Sequence, residues 1–139
     1  MKNPVEKVWF SNGYIGIVRI VSEMGYRCGY AVLPKGHPYN SIDFHDWDSR
    51  PELDVHGGIT FDEIMDHMGI VYFGEERKVI GFDCTHCDDS PDRELLNSEA
   101  TILKPEYTAL MQGHVWTCAE VEREVDLLID QLMEAEKNG

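Results

Sequence analysis

Long apolar runs are missing from this chain. Its most apolar stretches, around 15–20 and 30–33, fall far short of the ~20 residues that a membrane-spanning helix requires. No apolar segment follows Met1-Lys2-Asn3-Pro4, so neither a secretory leader nor a membrane partner is expected. Basic residues are also scarce. Twelve Lys and Arg stand against 26 Asp and Glu, a net charge of -14. Such a surface repels phosphate backbones and argues against direct binding of nucleic acid. Carboxylates can instead imitate those phosphates, which leaves a DNA-mimicking plug of a host protein as one reading. The acids here are dispersed among apolar residues, however, and that pattern suits a solvated, solubility-promoting surface. Four cysteines (Cys28, Cys84, Cys87 and Cys118) are too few for a disulfide scaffold. Reduced thiols and a cytoplasmic location are expected.

What is present is a globular balance, 42% hydrophobic and 27% charged, in 139 residues that can bury one core. The order of elements predicts a single α+β domain, mainly an antiparallel sheet packed by a long C-terminal helix and short helices. Residues 5–34 are rich in β-branched and aromatic side chains and read as sheet, with Asn12-Gly13 as a hairpin turn and Gly25 as a second turn. Lys35-Gly36-His37-Pro38 ends that run. Residues 37–51 read as a long surface loop anchored by Trp47.

Further on, 53–56 reads as a short strand leading to Gly57-Gly58. Thr60-Phe61-Asp62-Glu63 has the spacing of a capping box. Phe61, Ile64, Met65 and Met68 then recur at helical intervals, which predicts a helix stopped by Gly69, with Asp62, Asp66 and His67 on its outer side. Residues 70–73 and 78–84 read as a hairpin turning at 74–77. Short helices are expected at about 91–97, after Ser90-Pro91, and from Pro105 to Met111. Thr117-Cys118-Ala119-Glu120 is a second capping box. Beyond it Val121, Val125, Leu128 and Leu132 form the apolar stripe of a helix over about 118–136.

Two segments can carry chemistry. In Val55-His56-Gly57-Gly58-Ile59-Thr60 the glycines allow a ligand close to the backbone, and His56 stands beside them as a proton donor or acceptor. The plain alternative is a sharp turn with a surface histidine. In Gly81-Phe82-Asp83-Cys84-Thr85-His86-Cys87-Asp88-Asp89, Asp83 is placed to orient His86 or His56, and Asp and His suit a divalent metal. The plain alternative there is a polar loop. Cys84-x-x-Cys87 lacks the second pair that structural zinc needs, and Cys84 reads as the inward end of a strand rather than a redox thiol. The loop holding Asp43, His45, Asp46, Trp47 and Asp48 is a third candidate, as a lid over a small ligand or a holder of a metal, and its plain alternative is a solvated loop.

Tyr26-Arg27-Cys28-Gly29-Tyr30, His37-Pro38, the His56-Gly57-Gly58-Ile59-Thr60 run and Gly81-Phe82-Asp83-Cys84-Thr85-His86 with Asp89 resemble a family of small phage and prophage proteins. The final helix, with Glu120, Glu124 and Gln131-Leu132, is similar to the same pattern. The resemblance supplies positions rather than a reaction. It implies His56, Asp83, His86 and Asp89 as catalytic candidates. Gly57, Gly58, Thr60, Trp47 and His37 are the residues expected around the ligand. Relatives usually carry a small non-cysteine residue at position 87, and often an arginine where this chain has Trp116. The context implies action on a nucleotide-like, phosphate- or ribose-containing small molecule, to counter host defence signalling. Acid–base or metal-assisted hydrolysis, sequestration of the intact molecule, and an acidic plug all stay open. So does assembly with copies of itself.

Overall fold

The computed structural model describes residues 3–85, 89–95 and 113–138. Five strands form one antiparallel sheet: β1 (Val5–Ser11), β2 (Tyr14–Val21), β3 (Tyr26–Val32), β4 (Phe61–Met68) and β5 (Val71–Asp83), in the spatial order β1-β2-β3-β5-β4. Two-residue strands β6 (Asp89–Ser90) and β7 (His114–Val115) pair in parallel, and α1 (Cys118–Asn138) closes the chain. The α+β architecture agrees with the sequence reading. No helix among the described residues is long and apolar enough to cross a membrane.

Local chemistry explains the first hairpin and the helix. Asn12 and Gly13 have φ of 52° and 88°, the left-handed pair that a two-residue turn between twisted strands demands. At the start of α1, Thr117 Oγ1 accepts from the Glu120 N–H at 3.2 Å and Glu120 Oε1 accepts from the Thr117 N–H at 3.1 Å, a complete capping box.

Both faces of the sheet are buried. One carries Tyr14, Val18, Ala31, Leu33, Ile80 and Phe82 against Val121, Val125, Leu128, Ile129 and Leu132 of α1. A Cβ at Gly29 would lie 2.7 Å from Val125 Cγ2 and 2.6 Å from the Phe82 ring, so a glycine there allows the helix its close approach. The other face gathers Ile15, Ile17, Val32, Val79 and Met68. The β4–β5 hairpin curls over it until Gly69 nears Val5, whose Cγ2 would be 3.2 Å from an added Cβ.

Several sequence expectations are corrected. Residues 61–68 form an edge strand rather than a helix. A register shift between Met65 and His67 interrupts strict alternation, so that Phe61, Met65 and Met68 all reach the second core cluster. A bulge thus reproduces the four- and three-residue spacing of a helical face. Asp62 is accordingly not a surface residue. Its carboxylate pairs with Lys78 at 2.7 Å, with both side chains under a tenth exposed, and accepts the Phe44 N–H at 2.8 Å. Residues 71–83 form one continuous strand, and the hairpin turns at Gly69-Ile70 instead of 74–77. Trp47 is 73% exposed and does not anchor its loop by burial. Residues 93–95 make a single 3-10 turn where a short helix was expected, and the helix expected over 105–111 lies outside the described residues.

Candidate functional site

The short strand expected over 53–56 is not formed, and the segment pairs with helix side chains instead. The Asp54 N–H donates to Gln131 Oε1 at 2.7 Å, Gln131 Nε2 donates to the Asp54 carbonyl at 2.9 Å, and the His56 N–H donates to Glu124 Oε1 at 2.7 Å. Glu124 and Gln131 stand two turns apart on α1, so the helix fixes the chain at both points. Gly57 and Gly58 then turn with φ of 70° and 79°, a conformation that disfavours any side chain.

Asp89 arrives from the opposite direction. The parallel register of Asp89 with His114 brings Trp116, two residues further along, to the Asp89 carboxylate. Asp89 Oδ2 lies 2.7 Å from His56 Nε2, and Asp89 Oδ1 accepts from Trp116 Nε1 at 3.0 Å. The Trp116 ring lies against the imidazole, with centroids 4.2 Å apart. Trp116 is itself held by Arg27, which donates to its carbonyl at 3.0 Å while bridging Glu6 and Asp92. The Asp89 side chain is 3% exposed and that of His56 is 23% exposed. A buried carboxylate therefore orients a partly accessible imidazole. Because a carboxylate accepts, Nε2 is the nitrogen that donates in this contact.

Asp83 is placed differently. Opposite Cys28 at the end of β5, it falls by alternation on the sheet face away from Phe82 and α1. Its carboxylate accepts from the Thr60 hydroxyl at 3.1 Å and from the Thr85 N–H and hydroxyl at 3.1 and 2.6 Å. The structure thus joins His56 to Asp89, and Asp83 to Thr60. His86, Cys87 and Asp88 lie outside the described residues. His37 is tied into the framework. Buried, it accepts the Tyr39 N–H on Nδ1 and donates from Nε2 to the Leu132 carbonyl, each at 2.9 Å, so both ring nitrogens are used within the fold.

Burial raises the thiol pKa of Cys84 far above its ordinary range, with Asp89, Cys28, Asp83 and Glu124 adding to the effect, and burial pushes Cys28 up to about 11. Neither is poised as a thiolate. Among the described residues no group of three or more His, Cys, Asp or Glu side chains is arranged to hold a metal ion.

Beside Gly58 a cavity of about 430 Å³ is lined by Trp47, Arg50, Pro51, Glu52, Leu53 and Gly58. The Arg50 guanidinium lies 3.7 Å above the Trp47 ring, and its Nη1 donates to the Phe44 and Ile59 carbonyls at 2.6 and 3.0 Å. Sequence reasoning did not single out Arg50 or the roles of Trp116 and Glu124. Nothing local in the sequence ties an indole to a carboxylate 27 residues away. Comparison with protein-family models, curated proteins and solved structures finds no match.

Proposed function

We propose that this protein acts on a nucleotide-like small molecule by acid–base hydrolysis, with His56 as the proton-transferring group and Asp89 as the carboxylate that orients it. The supporting observation is the contact between buried Asp89 and accessible His56, backed by the Trp116 indole. Held in this way, His56 takes a proton from an attacking water and returns it to the departing oxygen. A positioned imidazole contributes about 10²–10⁴-fold in such reactions. The Gly57-Gly58 turn lets ligand oxygens approach the backbone beside it. Asp83 and Thr60 form a separate polar pair. A divalent metal would need ligands beyond the described residues. The resemblance to small phage proteins favours a host defence signal as the molecule acted on.

One observation supports sequestration as the second reading. The cavity beside Gly58 offers an aromatic ring and a cation without a paired acid and base. Incubation with a nucleotide panel, followed by mass spectrometry of free and protein-released material, separates the two. Loss of a compound with wild type, slowed about 100-fold or more in His56→Ala, supports hydrolysis. Recovery of the compound intact from denatured protein supports sequestration. With no compound consumed or retained, both readings fail and an acidic interaction protein takes their place.

A further inference from the structure

We infer that the cavity between Trp47, Arg50, Glu52 and Gly58 is a base-binding subsite, and that it takes a guanine-type base on a nucleotide carrying a single phosphate group. This rests on the nucleotide reading above and adds to it the class of ligand.

The cavity's size, about 430 Å³, lies in the range of small-molecule sites, roughly 300–1,000 Å³, and accommodates a mononucleotide. Part of its lining is aromatic. Trp47 is 73% exposed although a guanidinium covers part of it, so an extended π surface meets water where most proteins would bury it. A stacked base would remove that surface from water, and the energy of stacking depends little on which base it is. The cation is preorganised, because two carbonyls and the indole fix the guanidinium before any ligand arrives. A Cβ at Gly58 would lie 3.6 Å from Arg50 Nη2, and the left-handed backbone there favours glycine. The Nη2 edge of Arg50 therefore stays close to bare backbone, where a phosphate oxygen can reach both.

Selectivity comes from charge and from hydrogen-bond pattern. Glu52 is an exposed carboxylate on the cavity wall and can only accept. The Watson–Crick edge of guanine offers two adjacent N–H donors, which match the two oxygens of a carboxylate. The same edge of adenine sets an acceptor nitrogen beside its amino group and would face the carboxylate with a lone pair. Arg50 against Glu52 leaves the lining without surplus positive charge, inside a molecule of net charge -14. One phosphate is tolerated there, and a triphosphate is repelled.

Titrating the full chain with 5′-GMP, 5′-AMP and GTP, by calorimetry and tryptophan fluorescence, tests the subsite. GMP is expected to bind one to one, about tenfold or more tighter than AMP or GTP. Trp47→Ala should weaken GMP about tenfold or more, the low end of what one stacked base contributes. Glu52→Gln should bring GMP and AMP to within about twofold of one another. Both side chains are exposed, and unchanged circular dichroism verifies that the variants fold. Equal affinities for GMP and AMP in the wild type, or a GMP affinity indifferent to Trp47→Ala, overturn the subsite. A nucleotide converted by His56 at a rate unaffected by either substitution overturns the subsite and leaves the catalytic reading standing. GMP held as expected and recovered intact supports the subsite and the sequestration reading.

Discussion

Replacing Trp116 by Phe keeps a ring against His56 and removes one N–H from Asp89. That carboxylate is 3% exposed, and the indole donates to it at 3.0 Å. A hydrogen bond to a charged group contributes about 1.5–3 kcal/mol. The smaller ring also buries less apolar surface, but Trp116 is only half-buried, so this part stays below about 1 kcal/mol. The expected loss is about 2–3 kcal/mol. With a slope of roughly 1–3 kcal/mol per molar urea, the unfolding midpoint followed by circular dichroism should fall by about 1–2 M. A double-mutant cycle isolates the hydrogen bond. In an Asp89→Ala background the Trp116→Phe substitution should cost only the packing part, leaving a coupling of about 1.5–2 kcal/mol. Equal costs in the two backgrounds would refute the claim that the indole holds the carboxylate.

Leu128 and Val125 are fully buried where α1 meets the sheet, and their truncation to Ala should destabilise by about 2–5 and 1–4 kcal/mol respectively. Chemical denaturation checks this, and a change below about 0.5 kcal/mol for both would mean that the helix is not seated on that face. Glu120 supplies a pH dependence. Burial raises its pKa, but hydrogen bonds from the Thr117 N–H, His114 and the Thr117 hydroxyl outweigh that and hold it below its ordinary value of 4.5. A carboxyl depressed in the folded state stabilises fully above its unfolded value and loses that contribution as pH falls through its folded value. Melting temperatures measured from pH 6 to about pH 3 should therefore fall less steeply for Glu120→Gln than for wild type. Parallel curves would show that the capping carboxylate carries no such linkage.

The sequence determined the features whose physics is local. Asn12-Gly13 specifies its turn because two consecutive left-handed residues are hard to place elsewhere. Thr117 and Glu120 specify a helix start through hydrogen bonds made within four residues, and the Val121–Leu132 stripe names the face that is buried. His56 and Asp89 were legible as candidates from residue type and family resemblance, but their contact was not. Only the tertiary structure decided that 61–68 is a strand, because a bulge gives its apolar side chains the spacing of a helix and pairing with β5 determines the outcome. The segment 53–56 likewise finds its backbone partners on α1, through Glu124 and Gln131, 68 and 77 residues away along the chain. The site itself belongs to this second kind. An imidazole, a carboxylate and an indole from three separate segments meet only because the helix, the β6–β7 pair and the Gly57-Gly58 turn are already in place, and no local pattern encodes a contact between segments that folding alone brings together.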